Sequence, residues 1–456
     1  MRVLLLMPDG HIHKVKVGGY ERSMREAPLT LTLLASLAPE HLDIAFTLID
    51  ESVDRVPSDQ RFDLVAISLI TGTSVRGYRW AAYFRKKGVP VVIGGVHATL
   101  LPEEVAQHAD YVVAGPGERL WPRFLQDFSL GCAHKMYRES CADQDLIRDW
   151  PIANRHLQRS TRYNLPYTIS ATRGCRHACS FCTVPSIWEG YATRPIASVI
   201  NEIRLCSGKY LAFNDVSLVD DMEYAKALFR AMIPLKKYWG GLATVKIGQD
   251  PELIELMAKS GCRYLLIGFE SITQNALREI KKGFNREQRY LELMRLLHSY
   301  KISVQGCFIF GFDQDNLDVF ESTVKQVKEL QIDIPRYAVL TPYPGTPLYR
   351  RLHDQGRILT YDWSNYDTMH VVFQPQQMSP EQLYDGFKWA YRETFKFKSI
   401  LSRVKEPSLS GLINLVGNLT YRRFVNRLYS HPRYARLFAD LEAMGKDIPD
   451  PVTGQR

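Results

Sequence analysis

The chain has no apolar run of about 18 residues, the length a helix needs to cross a bilayer, so a membrane-spanning bundle is excluded. Cysteine is scarce, with eight in 456 residues. That is too few for a disulfide scaffold, and a chain of this length can bury large cores without one. The stretch from Met1 to Pro8 is too short an apolar run for a secretory leader, so a reducing, cytoplasmic setting is expected. No G-x-G-x-x-G follows the first apolar run, which argues against a dinucleotide-binding turn. Acidic residues are outnumbered, 49 against 58 basic ones, for a net charge of +9. That excess is local: between Tyr391 and Arg436 ten Lys and Arg face only Glu393 and Glu406.

What is present is a repeated alternation of short Val/Ile/Leu-rich runs with helical periods. The runs 3–6, 44–49, 64–68, 91–94 and 111–114 read as strands, separated by helical stretches at 29–37, 78–86 and 102–107. Near-continuous apolar strands in such an alternation predict an α/β fold with a doubly wound, Rossmann-like parallel sheet. Residues 131–165 are charged and weakly periodic and read as a linker. The alternation resumes with strands at 167–171, 210–213, 243–247, 264–268, 304–310 and 337–340. Six strand–helix units in about 200 residues fit a partial (β/α)6 TIM-type barrel. The expected domains are therefore 1–130, a linker at 131–165, a barrel over 166–375 and a helical, basic region over 376–456.

The sharpest chemical signal is Thr172-Arg173-Gly174-Cys175-Arg176-His177-Ala178-Cys179-Ser180-Phe181-Cys182. Three thiols spaced C-x3-C-x2-C on one loop can converge on a metal centre. A structural zinc site calls for four ligands, commonly in Cys pairs or with His, and Cys206, Cys262 and Cys307 are scattered singly. Three ligands on a four-iron cluster would leave one iron open to a further ligand.

This loop, directly after a predicted strand and with Phe181 at the aromatic position, resembles that of the radical S-adenosylmethionine (SAM) enzymes. The resemblance implies a [4Fe–4S] cluster held by Cys175, Cys179 and Cys182, with SAM chelating the open iron and cleaved to a 5′-deoxyadenosyl radical. It extends across the barrel. Asp215 ends the second strand, Gly268 and Glu270 end the fourth, and Gly311 follows the fifth, where the family places SAM-contacting residues. The segment Thr341-Pro342-Tyr343-Pro344-Gly345-Thr346-Pro347-Leu348-Tyr349 resembles the sixth-strand turn of the cobalamin-associated branch. SAM carries a sulfonium and an ammonium, and Asp215 and Glu270 offer carboxylates to such charges.

The first 130 residues resemble the cobalamin (B12)-binding domain that precedes the barrel in class B radical SAM methyltransferases. The residues that carry this are Gly94, Gly95, His97, Gly115, Gly117 and Glu118, with Ser68, Thr71 and Thr73 after the third strand. Domains that ligate cobalt from below use Asp-x-His-x-x-Gly. Here Asp9-Gly10-His11-Ile12-His13-Lys14 keeps Asp9 and His11 but has Lys14 for the glycine.

The resemblance implies a C-methyltransferase acting on an unactivated carbon of a small-molecule or lipid substrate, fed by an electron donor such as flavodoxin or ferredoxin. Two alternatives stand beside it: a radical cyclase or rearrangement enzyme of tetrapyrrole or hopanoid-like lipid synthesis, and a non-catalytic iron–sulfur or cobalamin sensor. Tyr343, Tyr349, Trp363 and Tyr366 could pack on a flat substrate or form core. The basic tail could rest on a membrane surface as an amphipathic helix. No nucleic-acid module is recognisable in it.

Overall fold

The computed structural model describes residues 1–10, 14–17, 20–57, 60–140, 144–404 and 409–428. His11, His13, Cys141 and the tail beyond Leu428 lie outside the described residues.

The first unit is a parallel sheet of β1 (Arg2–Met7), β2 (Ala45–Asp50), β3 (Leu64–Ser68), β4 (Val91–Gly94), β5 (Tyr111–Ala114) and β6 (Met136–Arg138), in the order β2-β1-β3-β4-β5-β6. Its central strands are nearly continuous apolar runs because both faces are covered. In β1, Leu4 and Leu6 pack into one core, and Val3 and Leu5 into another on the opposite face. β6 falls inside the stretch expected to be a linker. It is a three-residue edge strand ending in Arg138, and charge at an edge hides strand character in a sequence.

The second unit is a six-stranded open barrel of β7 (Thr168–Ile169), β8 (Tyr210–Phe213), β9 (Tyr238–Ala243), β10 (Cys262–Glu270), β11 (Ser303–Phe310) and β12 (Ile334–Val339). The strands pair in sequence order, all parallel. The α/β class and the partial barrel are as expected, but the third barrel strand is displaced. The run 243–247 ends β9 and turns into the 3-10 helix Val245–Gln249. The strand's glycines disguised it, and packing requires them: a Cβ on Gly240 would stand 3.1 Å from the Tyr264 carbonyl oxygen, and one on Gly241 3.2 Å from Phe213 Cβ.

The described part of the tail, to Leu428, is helical, and several of its polar side chains turn inward. Ser379 and Gln382 form a capping box on helix Pro380–Thr394. Helix Leu409–Leu428 buries Asn414, Asn418, Tyr421 and Val425 against the barrel. Asn414 Nδ2 donates to Asp333 Oδ1 at 2.8 Å and Asn418 Nδ2 to the Asp333 carbonyl at 2.9 Å. Arg403 is buried and donates to the Thr394 carbonyl and to Asn418 Oδ1, while Arg422 donates to the Phe395 carbonyl. Part of the basic excess is thus structural. Among the described residues no helix is long and apolar enough to cross a membrane.

The two units meet through buried contacts. Val75 packs with Tyr349, Trp363, Tyr366 and Val372. Trp363 Nε1 donates to both carboxylate oxygens of Glu104, at 3.1 and 3.0 Å. These aromatic residues are core between the units; none of them lines the cavity described next.

Candidate functional site

The carboxyl ends of both sheets face one cavity of about 710 Å³, the place where parallel α/β sheets bind ligands and a volume within the range of cofactor pockets. From the first unit it is lined by Met7 and Pro8 after β1, Ser68 to Ile70 after β3, Gly94 and Gly95 after β4, and Gly115, Gly117 and Glu118 after β5. From the barrel come Thr168, Ser170, Thr172, Asn214, Val216 and Arg336. Arg173, Gly174, Ile187 and Trp188, which flank the cysteine loop, form another side, and the segment from Glu26 to Leu31 adds to the wall.

The cysteine loop is anchored from several sides. The short strand Thr172–Gly174 pairs antiparallel with Tyr191–Thr193. Gly174 has φ +82, and a Cβ there would collide with the Gly190 carbonyl oxygen at 2.1 Å. Arg173 stacks between Trp150 and Trp188 and pairs with Glu118 at 2.6 Å, tying the loop to the first unit. Ser180 N donates to the Ile280 carbonyl and Leu348 N to the Ser180 carbonyl, so the segments after the fourth and sixth barrel strands grip the loop. His177 stacks on Phe284 with centroids 4.1 Å apart and stands 3.3 Å from Asp220.

Cys175, Cys179 and Cys182 are half-buried free thiols. Burial pushes Cys175 up to about 12 and Cys179 up to about 11, and it raises Cys182 as well. Such thiols are poor free nucleophiles and become thiolates only on binding a metal. Among the described residues no three His, Cys, Asp or Glu side chains converge closely enough to hold a single metal ion. A cubane gives each cysteine its own iron and tolerates wider sulfur spacing, so the donor set fits a cluster better than a mononuclear site. Phe181, beside the third cysteine, is half-buried and packs against the barrel core.

Several expected cofactor residues have local partners. Asp215 is buried; its Oδ1 accepts from Ala171 N at 2.9 Å, from Thr172 Oγ1 at 2.6 Å and from Thr172 N. It braces the strand that launches the cysteine loop, while its Oδ2 is buried without a partner. Burial raises this carboxyl to about 6. Glu270 sits at φ +64 and takes a buried ion pair from Lys282, Nζ to Oε1 2.5 Å. A Cβ on Gly268 would stand 2.2 Å from that Oε1 and 2.8 Å from the Lys282 nitrogen, so only glycine leaves room for the pair. Asn285 Nδ2 donates to the carbonyls of Gly268 and Phe269 and holds the strand end open.

Of the expected site residues, Ser68, Gly94, Gly95, Gly115, Gly117 and Glu118 line the cavity; Cys175, Cys179, Phe181, Cys182, Asp215, Gly268 and Glu270 stand behind its wall, and Thr71, His97 and Gly311 do not reach it either. His97 is fully buried. Its Nε2 lies 2.8 Å from the Tyr78 hydroxyl and 3.4 Å from Glu104, and its Nδ1 lies 3.4 Å from Thr71, which is buried with it. These two residues therefore hold the unit interface, and Thr73 lines the cavity instead. Gly311, at φ +106, is covered by Leu383 and Phe373, and Asp315 accepts from its amide at 2.9 Å. It turns the chain beneath the tail helix and does not face the cavity. Lys282, Arg173 and Arg336 escaped the sequence reading, because a lone basic residue normally signals only a solvated surface.

Residues 169–327 match the radical SAM superfamily, 22–125 match the B12 binding domain, and 346–410 match a domain of unknown function. The bacteriochlorophyllide d C-12(1)-methyltransferase of Chlorobaculum tepidum is 32% identical over 88% of this chain and 90% of its own length. The anaerobic magnesium-protoporphyrin IX monomethyl ester cyclase of Cereibacter sphaeroides is 25% identical over 68% of this chain and 55% of its own. Among solved structures, the radical SAM methyltransferase TsrM from Kitasatospora setae, with cobalamin and a [4Fe-4S] cluster bound, superposes with a TM-score of 0.61 at 18% identity, covering 85% of each chain. The cobalamin-dependent SAM radical enzyme OxsB, with aqua-cobalamin bound, gives 0.66 at 13% identity over 97% of this chain and 75% of its own.

Proposed function

The chain belongs to the cobalamin-dependent radical SAM methyltransferase family, and from that premise we propose that it methylates an unactivated carbon of a small-molecule substrate held between its two sheets. The family's cofactors are a [4Fe–4S] cluster, SAM and cobalamin. Together, when bound, they supply one-electron sulfonium cleavage, hydrogen-atom abstraction and methyl carriage.

The observation that carries the reading is the shared cavity, to which both sheets present their carboxyl ends. Cys175, Cys179 and Cys182 are the cluster ligands in this reading, and Arg173, stacked and paired, fixes the loop that bears them. Gly94, Gly95, Gly115 and Gly117 form the wall offered to a corrinoid, its chain path fixed by the left-handed Gly95 and Gly115, and Ser68 offers a hydroxyl. Asp215 Oδ2, buried without a partner at the barrel mouth, suits a cationic part of SAM. Trp188 and Ile187 shield the space from water.

The test is anaerobic reconstitution with cobalamin, iron, sulfide and an external one-electron donor, followed by metal counting; about four irons and one cobalt per chain are expected. The loaded protein is then given SAM with a deuterated methyl group. The tetrapyrroles named for the relatives are the first substrates to offer. A labelled methyl in the product supports the reading. Substrate dehydrogenation or ring closure without label would place the chain with the cyclase instead, and metal binding without repeated SAM turnover would leave a sensor.

A further inference from the structure

Arg336 lies in the middle of β12, in register with Cys307 of β11, which is in register with Gly268 of β10. Its side chain lines the cavity from the barrel side. Other basic groups near the site are matched: Arg173 with Glu118, Arg194 with Glu202 and Lys282 with Glu270. Arg336 is not. Among the described residues no carboxylate stands within 4.0 Å of its guanidinium, and no side chain or carbonyl accepts a hydrogen bond from it. The cavity's acidic lining residues are Glu118, taken by Arg173, and Glu26, which stays beyond that distance.

The groups nearest Arg336, Cys307, Tyr264, Tyr391 and Tyr421, are thiol and phenols that are neutral at about pH 7, so none supplies a full counter-charge. Beside the arginine, the Tyr264 hydroxyl donates to Gln305 Oε1 and Gln305 Nε2 donates to the Tyr421 hydroxyl at 2.8 Å, a chain already satisfied within itself. Two residues further along the same inward row stands Ala338. Arg336 is partly buried and open to the cavity, so its fork of donors is held there without a protein partner, where an aliphatic side chain would pack without any loss of hydration. A planar fork of donors is matched to the paired oxygens of a carboxylate or phosphate. The cavity also offers apolar lining from Ile187, Trp188 and Val216.

We propose that Arg336 is the anion receptor of the substrate pocket, and that the substrate is an organic acid: an apolar or aromatic body lying toward Trp188 and Val216, with a carboxylate or phosphate seated on the guanidinium. This rests on the cavity being a substrate site, as argued above. SAM also carries a carboxylate, so the experiment has to separate the two sources.

The probes are naphthalene-2-acetate and its neutral amide, measured by equilibrium dialysis against the reconstituted protein and its Arg336→Leu and Arg336→Lys variants. SAM affinity, iron and cobalt are measured on the same samples. The wild type should prefer the acid by about tenfold or more, the size of one hydrogen-bonded charge contact. Arg336→Leu should abolish that preference and leave amide binding alone. Arg336→Lys should keep part of it, and SAM affinity and metal content should hold in all three. Equal wild-type affinity for acid and amide would overturn the proposal. So would a preference that survives Arg336→Leu while SAM affinity collapses, which would assign the arginine to SAM. The metal counts report separately on the enzyme class: the acid-over-amide preference is read whether or not the protein takes up iron and cobalt.

Discussion

Replacing Asp215 by asparagine should stabilise the protein relative to wild type increasingly as pH rises, although it removes a carboxylate that accepts three hydrogen bonds. Burial dominates the environment of this group and raises its folded-state pKa from 3.8 to about 6, against the lowering effect of the Thr172 and Ala171 donors. The folded state therefore holds a proton in a range where the unfolded state has released it, and stability falls as pH climbs from 3.8 to about 6, then levels off. A shift of about two units is worth roughly 3 kcal/mol in full, and between about pH 4.5 and about pH 7.5 the change is roughly 2 kcal/mol. Asparagine is neutral throughout and keeps an oxygen for the Ala171 and Thr172 donors. The assay is urea unfolding of the metal-free protein under reducing conditions at the two pH values, reading the barrel transition in variant and wild type. A variant-minus-wild-type difference that stays constant, or shrinks as pH rises, would refute the argument that desolvation outweighs the three hydrogen bonds.

Other expectations concern the cluster loop, the buried pair and the glycine wall. Serine at Cys175, Cys179 or Cys182 should cost most of the reconstituted iron while far-UV circular dichroism is unchanged; serine at the exposed Cys132 should cost none. Lys282→Met strands the Glu270 carboxylate now held at 2.5 Å and should destabilise by about 3–5 kcal/mol in chemical denaturation. Adding Glu270→Gln should recover part of that loss, and a double variant no better than the single one would contradict the pairing. Gly95 has φ +95, and a Cβ there would lie 2.7 Å from the Leu69 carbonyl oxygen. Gly95→Ala should therefore cost about 1–3 kcal/mol and lower cobalt content while iron stays constant; parallel loss of both metals would remove the glycine wall from the corrinoid argument.

The legible parts of this chain were those where one local rule acts alone. β3, β4, β5 and β8 fall on the predicted residues because their apolar runs are uninterrupted and bounded by polar turns. β9 was displaced because tertiary packing demanded Gly240 and Gly241 where a strand pattern asks for bulk. The cysteine loop was legible because its spacing carries the chemistry. His97 was misplaced for the opposite reason: adjacency to Gly94 and Gly95 says nothing about which way a side chain turns, and helix Val96–Leu100 turns it into the unit interface. The pairing of Glu270 with Lys282, twelve residues away, and the isolation of Arg336 depend on where other charges are absent, which no window of sequence contains.

The contacts between the two units bear on how the cavity can work. Transfer chemistry on one carbon requires groups held by the first sheet and groups held by the cysteine loop to keep a common distance, and errors near 1 Å are costly. Apolar packing alone tolerates sliding. Here it is supplemented by two directional links: Glu118 with Arg173 at the cavity wall, and Glu104 with Trp363 behind it. Each link takes a buried carboxylate from the first unit and a donor from the second. Glu104 is further fixed by Tyr78 at 2.7 Å and by His97. A shift that breaks either link while the contact stays closed to water would cost that carboxylate a donor, with Glu104 keeping Tyr78 and His97. Sliding by a fraction of an ångström would lengthen both bonds together. The width of the cavity is thus set by charge placement as well as by the fold of either sheet.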